Sequence, residues 1–396
     1  MKKKFERVSI LPPYVFASIN DLKAKERLKG RDIIDLGMGN PDNSAPRHVV
    51  EKLIKTVKDG KTHRYSVSRG INGLRKAQKD YYHRRFHVNL NKENEIVVTL
   101  GSKEGLANLA SAITSKNDVI LVPNPSYPIH PYGFLIAGAK VKSIKMDNNQ
   151  TFFKDLKLKI NKYKNKIKAL IINFPNNPTT KVVNKSFYEE LVSICRFNKI
   201  WVLSDLAYAE LYYDIEPPPS ILQIKNAKDI AVEFTSMSKT YNMPGWRIGF
   251  ACGNKTLISA LSRIKSYLDY GAFTPIQVAA TAALNGPQNV IDEIRVTYKK
   301  RRDVLIESMT RSGWQIPKPD ATMFAWAPIP QNYVDKGSIY FTKLLLKKAG
   351  LAVSPGIGFG KYGDKFVRIS LVENEQRIRQ AARNIKNNLN LFKVSK

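Results

Sequence analysis

Residues 230–251, with the sequence IAVEFTSMSKTYNMPGWRIGFA, decide the fold of this chain. Two short apolar runs, Ile230–Phe234 and Ile248–Ala251, enclose a turn that is rich in hydroxyl and basic side chains. Short apolar runs of this kind are typical of strands that are covered on both faces of a sheet. The stretch therefore predicts two buried strands with a polar turn between them.

Similar runs recur upstream of this stretch, and helix-like segments separate them. The upstream runs are Ile96–Leu100, Val119–Val122, Ala169–Phe174 and Ile200–Leu203. Repetition of strand, helix and strand implies a mostly parallel sheet with helices on both sides. We therefore expect an α/β fold with three layers.

The last third of the sequence has a different pattern. Residues 287–312 are charged and helix-like, Met323–Ala327 and Phe366–Leu371 are candidate strands, and Asn374–Lys393 is a candidate closing helix. This predicts a smaller α+β domain that the first residues of the chain join. The predicted division is an N-terminal arm at 1–45, a large domain at 46–290 and a small C-terminal domain at 291–396.

The composition excludes several classes of protein. Two cysteines among 396 residues rule out a disulfide framework and a cysteine-rich zinc module, and the histidines show no metal-ligand spacing. No apolar stretch reaches the roughly 18 residues that a membrane span needs. The N-terminal lysines are followed at once by Glu6 and Arg7, so they do not form a signal peptide. We expect a cytoplasmic protein without a metal site or a membrane partner.

The chain is strongly basic, with 65 Lys and Arg residues against 33 Asp and Glu residues and a formal net charge of +32. The lysines are spread along the whole sequence, and no zinc-finger, RNA-recognition or basic-zipper pattern accompanies them. We expect no specific nucleic-acid partner, only salt-sensitive adhesion to polyanions. The origin of the charge stays open.

Polar residues follow the ends of five predicted strands, which is where open α/β sheets bind their ligands. In chain order they are Ser102 and Lys103 in a glycine turn, Tyr127, Asn177, Asp205 with Tyr208, and Ser236, Ser238 and Lys239, with Arg247 shortly after. A small-residue turn at a helix start offers backbone N–H groups to a phosphate. The set therefore predicts a phosphate-bearing ligand at one edge of the sheet.

The other side chains narrow the chemistry of that ligand. Tyr127 suits an aromatic ring, Asp205 a basic ring nitrogen, Asn177 and Tyr208 a phenolic oxygen, and Lys239 a carbonyl group. Pyridoxal 5′-phosphate has all of these groups together with a phosphate. It is the predicted cofactor.

Several motifs resemble one family. The segments NFPNNPT (173–179), SDLAY (204–208) and SMSKTYNMPGWRIGF (236–250) are similar to those of the fold-type I, class I/II pyridoxal-phosphate aminotransferases. The resemblance runs from LPPYVF (11–16) and GMGNPD (37–42) to SPGIGFG (354–360) and VRISLV (367–372). One departure is Thr180, where the family usually has a glycine.

Finer segments resemble the bacterial alanine (glutamate–pyruvate) aminotransferases, which are relatives of the LL-diaminopimelate aminotransferases. These segments are YPIHPYGFLIAGA (127–139), LDYGAFTPIQ (268–277) and VSPGIGFGKYGDKFVRIS (353–370). The favoured substrates are L-alanine and 2-oxoglutarate. Diaminopimelate, aspartate, branched-chain or aromatic donors, C–S lysis and decarboxylation remain alternatives on the same fold.

The resemblance also implies a role for each candidate residue. Lys239 forms the Schiff base with the cofactor aldehyde and then carries a proton between the substrate Cα and the cofactor. Asp205 pairs with the ring nitrogen, Asn177 and Tyr208 bond the ring oxygen, and Tyr127 stacks on the ring. The phosphate is held by Ser102, Lys103, Ser236, Ser238 and Arg247.

The family pattern further implies a substrate site and a second subunit. Arg368 binds the substrate α-carboxylate with help from Asn177, Gly39 lets the ligand approach the backbone, and Tyr14 borders the substrate. Tyr65 reaches the phosphate of the neighbouring subunit. We therefore expect a homodimer with shared active sites that acts on amino acids and 2-oxo acids.

Overall fold

The computed structural model describes residues 5–13 and 15–389 of the chain. Its α-helices, in chain order, are α1 (Glu6–Ser9), α2 (Val15–Leu28), α3 (Arg47–Val57), α4 (Asn72–Phe86), α5 (Ser102–Ile113), α6 (Ile129–Ile136), α7 (Asn149–Lys162), α8 (Lys185–Phe197), α9 (Met237–Thr240), α10 (Lys255–Leu268), α11 (Thr274–Asn285), α12 (Asn289–Arg311), α13 (Gln331–Val334), α14 (Gly337–Ala349) and α15 (Glu375–Asn388). Its strands are β1 (Ile34–Asp35), β2 (Ile96–Thr99), β3 (Val119–Asn124), β4 (Lys140–Lys145), β5 (Ile167–Asn173), β6 (Trp201–Asp205), β7 (Ala231–Ser236), β8 (Gly249–Gly253), β9 (Phe324–Pro328), β10 (Leu351–Ala352), β11 (Ser354–Pro355) and β12 (Phe366–Ser370). Tyr14 lies outside the described residues, as does the end of the predicted closing helix beyond residue 389.

The centre of the molecule is a seven-stranded sheet in the order β2-β8-β7-β6-β5-β3-β4. Strands β4, β3, β5, β6 and β7 pair in parallel, and only β8 runs antiparallel to its neighbours β7 and β2. The six strand predictions upstream of residue 255 are each within a few residues of an observed strand. The predicted mostly parallel α/β sheet is therefore confirmed.

Both faces of this sheet are covered, as the continuous apolar runs require. Side chains of successive strand residues pack on opposite faces of the sheet. In β3, Val119 and Leu121 pack on one face with α4 and α8. Ile120 and Val122 pack on the opposite face. The second side is covered by α5, α6 and α10. This arrangement makes three layers.

Strand β4 is absent from the sequence-based prediction, and its position in the sheet explains why. Its sequence KVKSIK has one buried residue, Ile144, because β4 lies at the edge of the sheet. Lysines on an edge strand discourage pairing with other chains. The polar pattern that protects this edge also hides the strand from a search for apolar runs.

The C-terminal third builds a second sheet with its own core. Strands β11, β12 and β9 form an antiparallel sheet, and β1 pairs in parallel with β10. Ile34 and Leu36 from the N-terminal region pack in the same core as Phe341 and Ile378. Both chain ends therefore contribute to this smaller α+β unit, while the division at residues 45 and 290 stays a prediction.

Two further expectations concern absences. Among residues 5–13 and 15–389, no helix is both long and apolar enough to cross a membrane. Within the same ranges, no three His, Cys, Asp or Glu side chains are grouped so that they could hold a metal ion.

Candidate active site

The predicted site residues gather at one edge of the large sheet. Strands β2, β3, β5, β6 and β7 all point in one direction, so the segments that follow them emerge at the same edge. These segments carry Ser102, Tyr127, Asn177, Asp205 and Lys239. The sheet topology thus explains how residues separated by more than a hundred positions lie close together.

Lys239 lies in the short helix α9, directly after β7. Its Nζ donates a hydrogen bond of 2.6 Å to the backbone oxygen of Gly39. Burial lowers the pKa of Lys239 to about 7, and the positive charges of Arg368 and Arg247 act in the same direction. Near pH 7, about half of the molecules therefore have a neutral Lys239 amine. The neutral amine is the form that attacks carbonyl groups and accepts protons.

Asp205 at the end of β6 is held by a residue that the sequence analysis did not assign. His130 in α6 places its Nε2 2.9 Å from Asp205 Oδ2, and the histidine side chain is 1% exposed. The other carboxylate oxygen, Oδ1, accepts from the backbone N–H of Ala207 at 3.3 Å. With a carboxylate as its partner, Nε2 is the donor, so the histidine fixes the orientation of Asp205.

His130 also supports the predicted stacking residue. Tyr127 lies edge-to-face against the imidazole, with ring centroids 5.9 Å apart. No local pattern in the sequence marks His130 as the partner of Asp205, because the contact depends on α6 packing beside the end of β6, 75 positions away. A search for metal-ligand spacing could not find it because a histidine that orients a carboxylate needs no second ligand nearby.

The glycine turn before α5 makes close contact with Arg247. Gly101 has a φ of +81°, and a Cβ on it would lie 2.1 Å from Arg247 Nη2. Arg247 donates from Nη2 to the backbone oxygen of Leu100 at 3.1 Å and from Nη1 to that of Pro244 at 2.8 Å. The guanidinium is therefore fixed across the N-terminus of α5, where a phosphate would bind.

The serines predicted to hold the phosphate are arranged around Gly249. A Cβ on Gly249 would lie 2.8 Å from the backbone nitrogen of Ser102, and Gly249 pairs with Ser236 across β7 and β8. Ser102 Oγ donates to Thr235 O at 3.1 Å, and Ser236 Oγ accepts from Ser238 N at 3.1 Å. These contacts bring Ser102, Ser236 and Arg247 together around Gly101 and Gly249, while Lys103 is exposed.

Arg368 in β12 faces the large sheet from the small unit. It donates from Nη1 to Asn177 Oδ1 at 2.8 Å and from Nη2 to Gly37 O at 3.1 Å. Its guanidinium lies between two aromatic rings, 4.1 Å from the centroid of Phe324 and 4.7 Å from that of Phe359. These two rings, which the sequence analysis did not assign, hold the planar group in place.

Gly39 joins the arginine to the lysine. Its carbonyl accepts from Lys239, and a Cβ on it would lie 2.6 Å from the Phe324 ring and 3.7 Å from Arg368 Nη2. A side chain at this position would therefore collide with the wall of the site. Contact with Phe324 therefore favours a residue without a side chain at position 39, while the approach of a ligand to the Gly39 backbone stays a prediction.

Asn177 and Tyr208 lie on the remaining side of the site. Asn173 accepts from Asn177 N at 2.8 Å and donates to the backbone oxygen of Asp205 at 2.7 Å, so it ties the loop after β5 to β6. Tyr208 packs edge-to-face on Phe324 with centroids 5.7 Å apart. Burial raises the pKa of Tyr208, and the phenol therefore remains protonated as a hydrogen-bond donor.

Tyr65 stands apart from this cluster on the single chain. It is 86% exposed and contacts Tyr270 in a tilted arrangement, with ring centroids 4.7 Å apart. Tyr14 lies outside the described residues. The roles assigned to individual residues remain predictions.

The donor set suits pyridoxal phosphate. A poorly solvated amine, a carboxylate oriented by a buried histidine and a helix N-terminus crossed by an arginine match its aldehyde, ring nitrogen and phosphate. A Cβ at Gly101 or Gly249 would collide with Arg247 or with the backbone nitrogen of Ser102, so both glycines allow the arginine and the start of α5 to come this close together. Residues and cofactor therefore fit each other.

Comparisons with known proteins agree with this chemistry. The family model for aminotransferase class I and II matches residues 31–385. A putative aminotransferase AatC of Rhizobium meliloti is 57% identical over 97% of this chain and 95% of its own length. The glutamate-pyruvate aminotransferase AlaC of Escherichia coli is 51% identical over 97% of this chain and 93% of its own length.

More distant matches extend the comparison. An LL-diaminopimelate aminotransferase of Natranaerobius thermophilus is 41% identical over 96% of this chain and 97% of its own length. The apo structure of BacF from Bacillus subtilis superposes with a TM-score of 0.94 at 32% identity, covering 99% of this chain and 100% of the other. Sequence, site and fold agree, and the chain belongs to the class I and II aminotransferases, which are transaminases that depend on pyridoxal phosphate.

Proposed function

We propose that this aminotransferase transfers the amino group of L-alanine to 2-oxoglutarate and releases pyruvate and L-glutamate. The observation that carries the proposed site is the position of Gly39. Its carbonyl accepts from Lys239, and Arg368 Nη2 lies 3.7 Å from where its Cβ would be. A base for the substrate Cα and a cation for its carboxylate therefore lie on two sides of one residue, as an α-amino acid requires.

Each residue of the site has a task in this proposal. When bound, pyridoxal phosphate supplies an aldehyde that condenses with amines and a ring that withdraws electrons from the substrate Cα. Asp205, oriented by His130, holds a proton at the ring nitrogen. With the cofactor bound, Lys239 Nζ would act as the base that takes the proton from the substrate Cα and returns it.

The substrate is held by its common part. Arg368 presents two Nη groups in a plane, a geometry that matches a carboxylate, and Asn177 is already hydrogen-bonded to one of them. Because every α-amino acid has this carboxylate, the contact orients the Cα without selecting a side chain. The Cα–H bond is thereby turned toward Lys239.

The choice of alanine rests on similarity. The relative named glutamate-pyruvate aminotransferase is 51% identical to this chain, whereas the LL-diaminopimelate aminotransferase is 41% identical. The segments at 127–139 and 353–370 favour the same assignment. LL-diaminopimelate, aspartate, and branched-chain or aromatic amino acids are the competing donors.

We also propose a homodimer in which Tyr65 reaches the phosphate of the neighbouring subunit. Its support is the exposure of apolar side chains around the Tyr65–Tyr270 contact, namely Val67, Tyr267 and Leu268. Large exposed patches of this type are typical of interfaces. Sedimentation velocity should give a single species with twice the 44.8 kDa mass of the chain. A monomer that retains full activity would contradict the proposal.

The substrate is tested with half-reactions. L-alanine should convert the bound cofactor from its pyridoxal to its pyridoxamine absorbance and release one pyruvate for each site. The same measurement with diaminopimelate, aspartate, valine and phenylalanine ranks the donors by kcat/KM. A higher value for any of these would refute alanine as the substrate, and a Lys239→Ala variant that turns over normally would refute the assigned base.

A further inference from the structure

A fully buried lysine supports the glycine turn from behind. Lys265 in α10 is 0% exposed, and its Nζ lies 2.9 Å from Glu104 Oε1 and 2.9 Å from Asp269 Oδ2. A buried ammonium is costly unless it is paired, and here two carboxylates pair with it. The described contacts of Lys265 lie outside the set of residues predicted to bind the cofactor.

The first carboxylate leads directly to the predicted phosphate site. Glu104 lies in the first turn of α5, and its Oε2 accepts from the backbone N–H of Leu100 at 2.8 Å. The carbonyl of the same Leu100 accepts from Arg247 Nη2 at 3.1 Å. The residue before Gly101 is thus held on its N–H by Glu104 and on its carbonyl by Arg247, and Lys265 fixes the glutamate.

The second carboxylate anchors the lysine to another segment. Asp269 Oδ1 accepts from Gly271 N at 2.7 Å, and the backbone oxygen of Asp269 accepts from Ser68 Oγ at 2.6 Å. A Cβ on Gly271 would lie 2.4 Å from Val67 O, so the two segments are in close contact. The ammonium therefore connects the start of α5 to the segment around Asp269, which is itself hydrogen-bonded to Ser68.

We propose that Lys265 is a positioning residue for the cofactor phosphate. By holding Glu104, it sets the direction of the backbone N–H groups at Gly101 and Ser102 and the distance of this turn from Arg247. The inference rests on the phosphate site proposed above and is independent of the identity of the amino donor.

The test is the affinity of the cofactor-free protein for pyridoxal phosphate. Lys265→Met keeps an unbranched side chain out to the ε position and removes the ammonium group. We expect the dissociation constant to rise roughly tenfold, the lower end of the effect that supporting partners have on first contacts in metal sites. The ³¹P resonance of the bound phosphate should shift as well, since the N–H groups around it are displaced.

A second lysine pair serves as the control that separates this role from general stabilisation. Lys228 pairs with Glu95 at 3.0 Å beside the beginning of β2, whereas the glycine turn follows its end; the Lys228 side chain is 40% exposed, against 0% for Lys265. Lys228→Met should lower the melting temperature without changing the dissociation constant or the ³¹P shift. If Lys265→Met does not fold, Glu104→Gln, which keeps an acceptor for Leu100 but weakens the contact with Lys265, decides by the same two measurements.

The outcomes are distinct. A dissociation constant within twofold of the wild-type value, together with an unchanged ³¹P shift, would overturn the positioning role even if the melting temperature falls. A wild-type protein that does not bind pyridoxal phosphate would instead refute the proposed site. Weaker binding and a shifted resonance in the Lys265 or Glu104 variant, with both unchanged in Lys228→Met, would support the inference.

Discussion

The buried amine of Lys239 should make the cofactor-free protein less stable at neutral pH than at alkaline pH. Its pKa is about 7 in the fold against an ordinary value of 10.5. Between these two values the unfolded chain binds more protons than the folded chain, so the free energy of unfolding rises with pH. The stability that the buried amine removes is fully recovered above pH 10.5 and is lost again as the pH falls toward 7.

The size of the effect follows from the two pKa values. One pKa unit corresponds to about 1.4 kcal/mol, which gives roughly 4 kcal/mol of destabilisation at pH 7 and about 1 kcal/mol at pH 10. Lys239→Met removes this contribution but also removes the 2.6 Å hydrogen bond to Gly39 O, a loss of about 1 kcal/mol. We therefore expect the variant to be more stable than the wild type by about 3 kcal/mol at pH 7.

Urea denaturation of both cofactor-free proteins, followed by tryptophan fluorescence at pH 7, 8, 9 and 10, measures this difference at one protein concentration. The advantage of Lys239→Met should shrink steadily and vanish near pH 10. Met237→Leu, an apolar exchange in the same helix α9, is the control, and its difference from the wild type should not depend on pH. If the difference in free energy of unfolding between Lys239→Met and the wild type stays constant across this pH range, the low pKa of the Lys239 amine is refuted.

Three further changes test other parts of the site. Arg368→Lys replaces a planar donor pair by a single ammonium and should raise KM for every α-amino donor by about 10- to 100-fold, equal to the loss of a charged hydrogen bond; an increase for one donor only would make it a side-chain contact. His130→Phe leaves Asp205 without its donor and should slow the single-turnover half-reaction by at least about tenfold with little change in KM, and an unchanged rate would contradict the orienting role. Thr180 has a φ of +63°, so Thr180→Gly should stabilise the protein by about 1 kcal/mol in thermal unfolding, whereas a lower melting temperature would indicate that the threonine side chain is needed.

The strands that carry the site could be predicted because they are buried on both faces. Burial on both faces requires an uninterrupted apolar run, and that pattern remains visible in a single sequence. The run that ends at Phe234 and the run that begins at Ile248 mark β7 and β8 to within two residues. Residues after such strands can then be assigned to one edge of the sheet, so the sequence alone predicts that Asp205 and Lys239 lie at the same edge.

Strand β4 and His130 were not predicted, for different physical reasons. An edge strand needs few apolar residues, so KVKSIK resembles a surface segment. A histidine that orients a carboxylate depends on one contact between residues 75 positions apart, and no local spacing encodes such a contact. Periodicity indicates which face of a helix or strand is buried, but it does not indicate which polar side chain of another element contacts that face.

The low pKa of Lys239 illustrates this limit most clearly. The motif Ser-Met-Ser-Lys identifies the residue, yet its protonation depends on distant parts of the chain. Burial is the main cause of the low pKa of Lys239, and Arg368, whose positive charge acts in the same direction, belongs to the other unit of the fold. The reactivity of the lysine therefore requires the small unit to pack against the large sheet. A change that loosens this packing should raise the pKa of Lys239 toward 10.5, even when each residue at the site is intact. The half-reaction should then reach its full rate only at a higher pH.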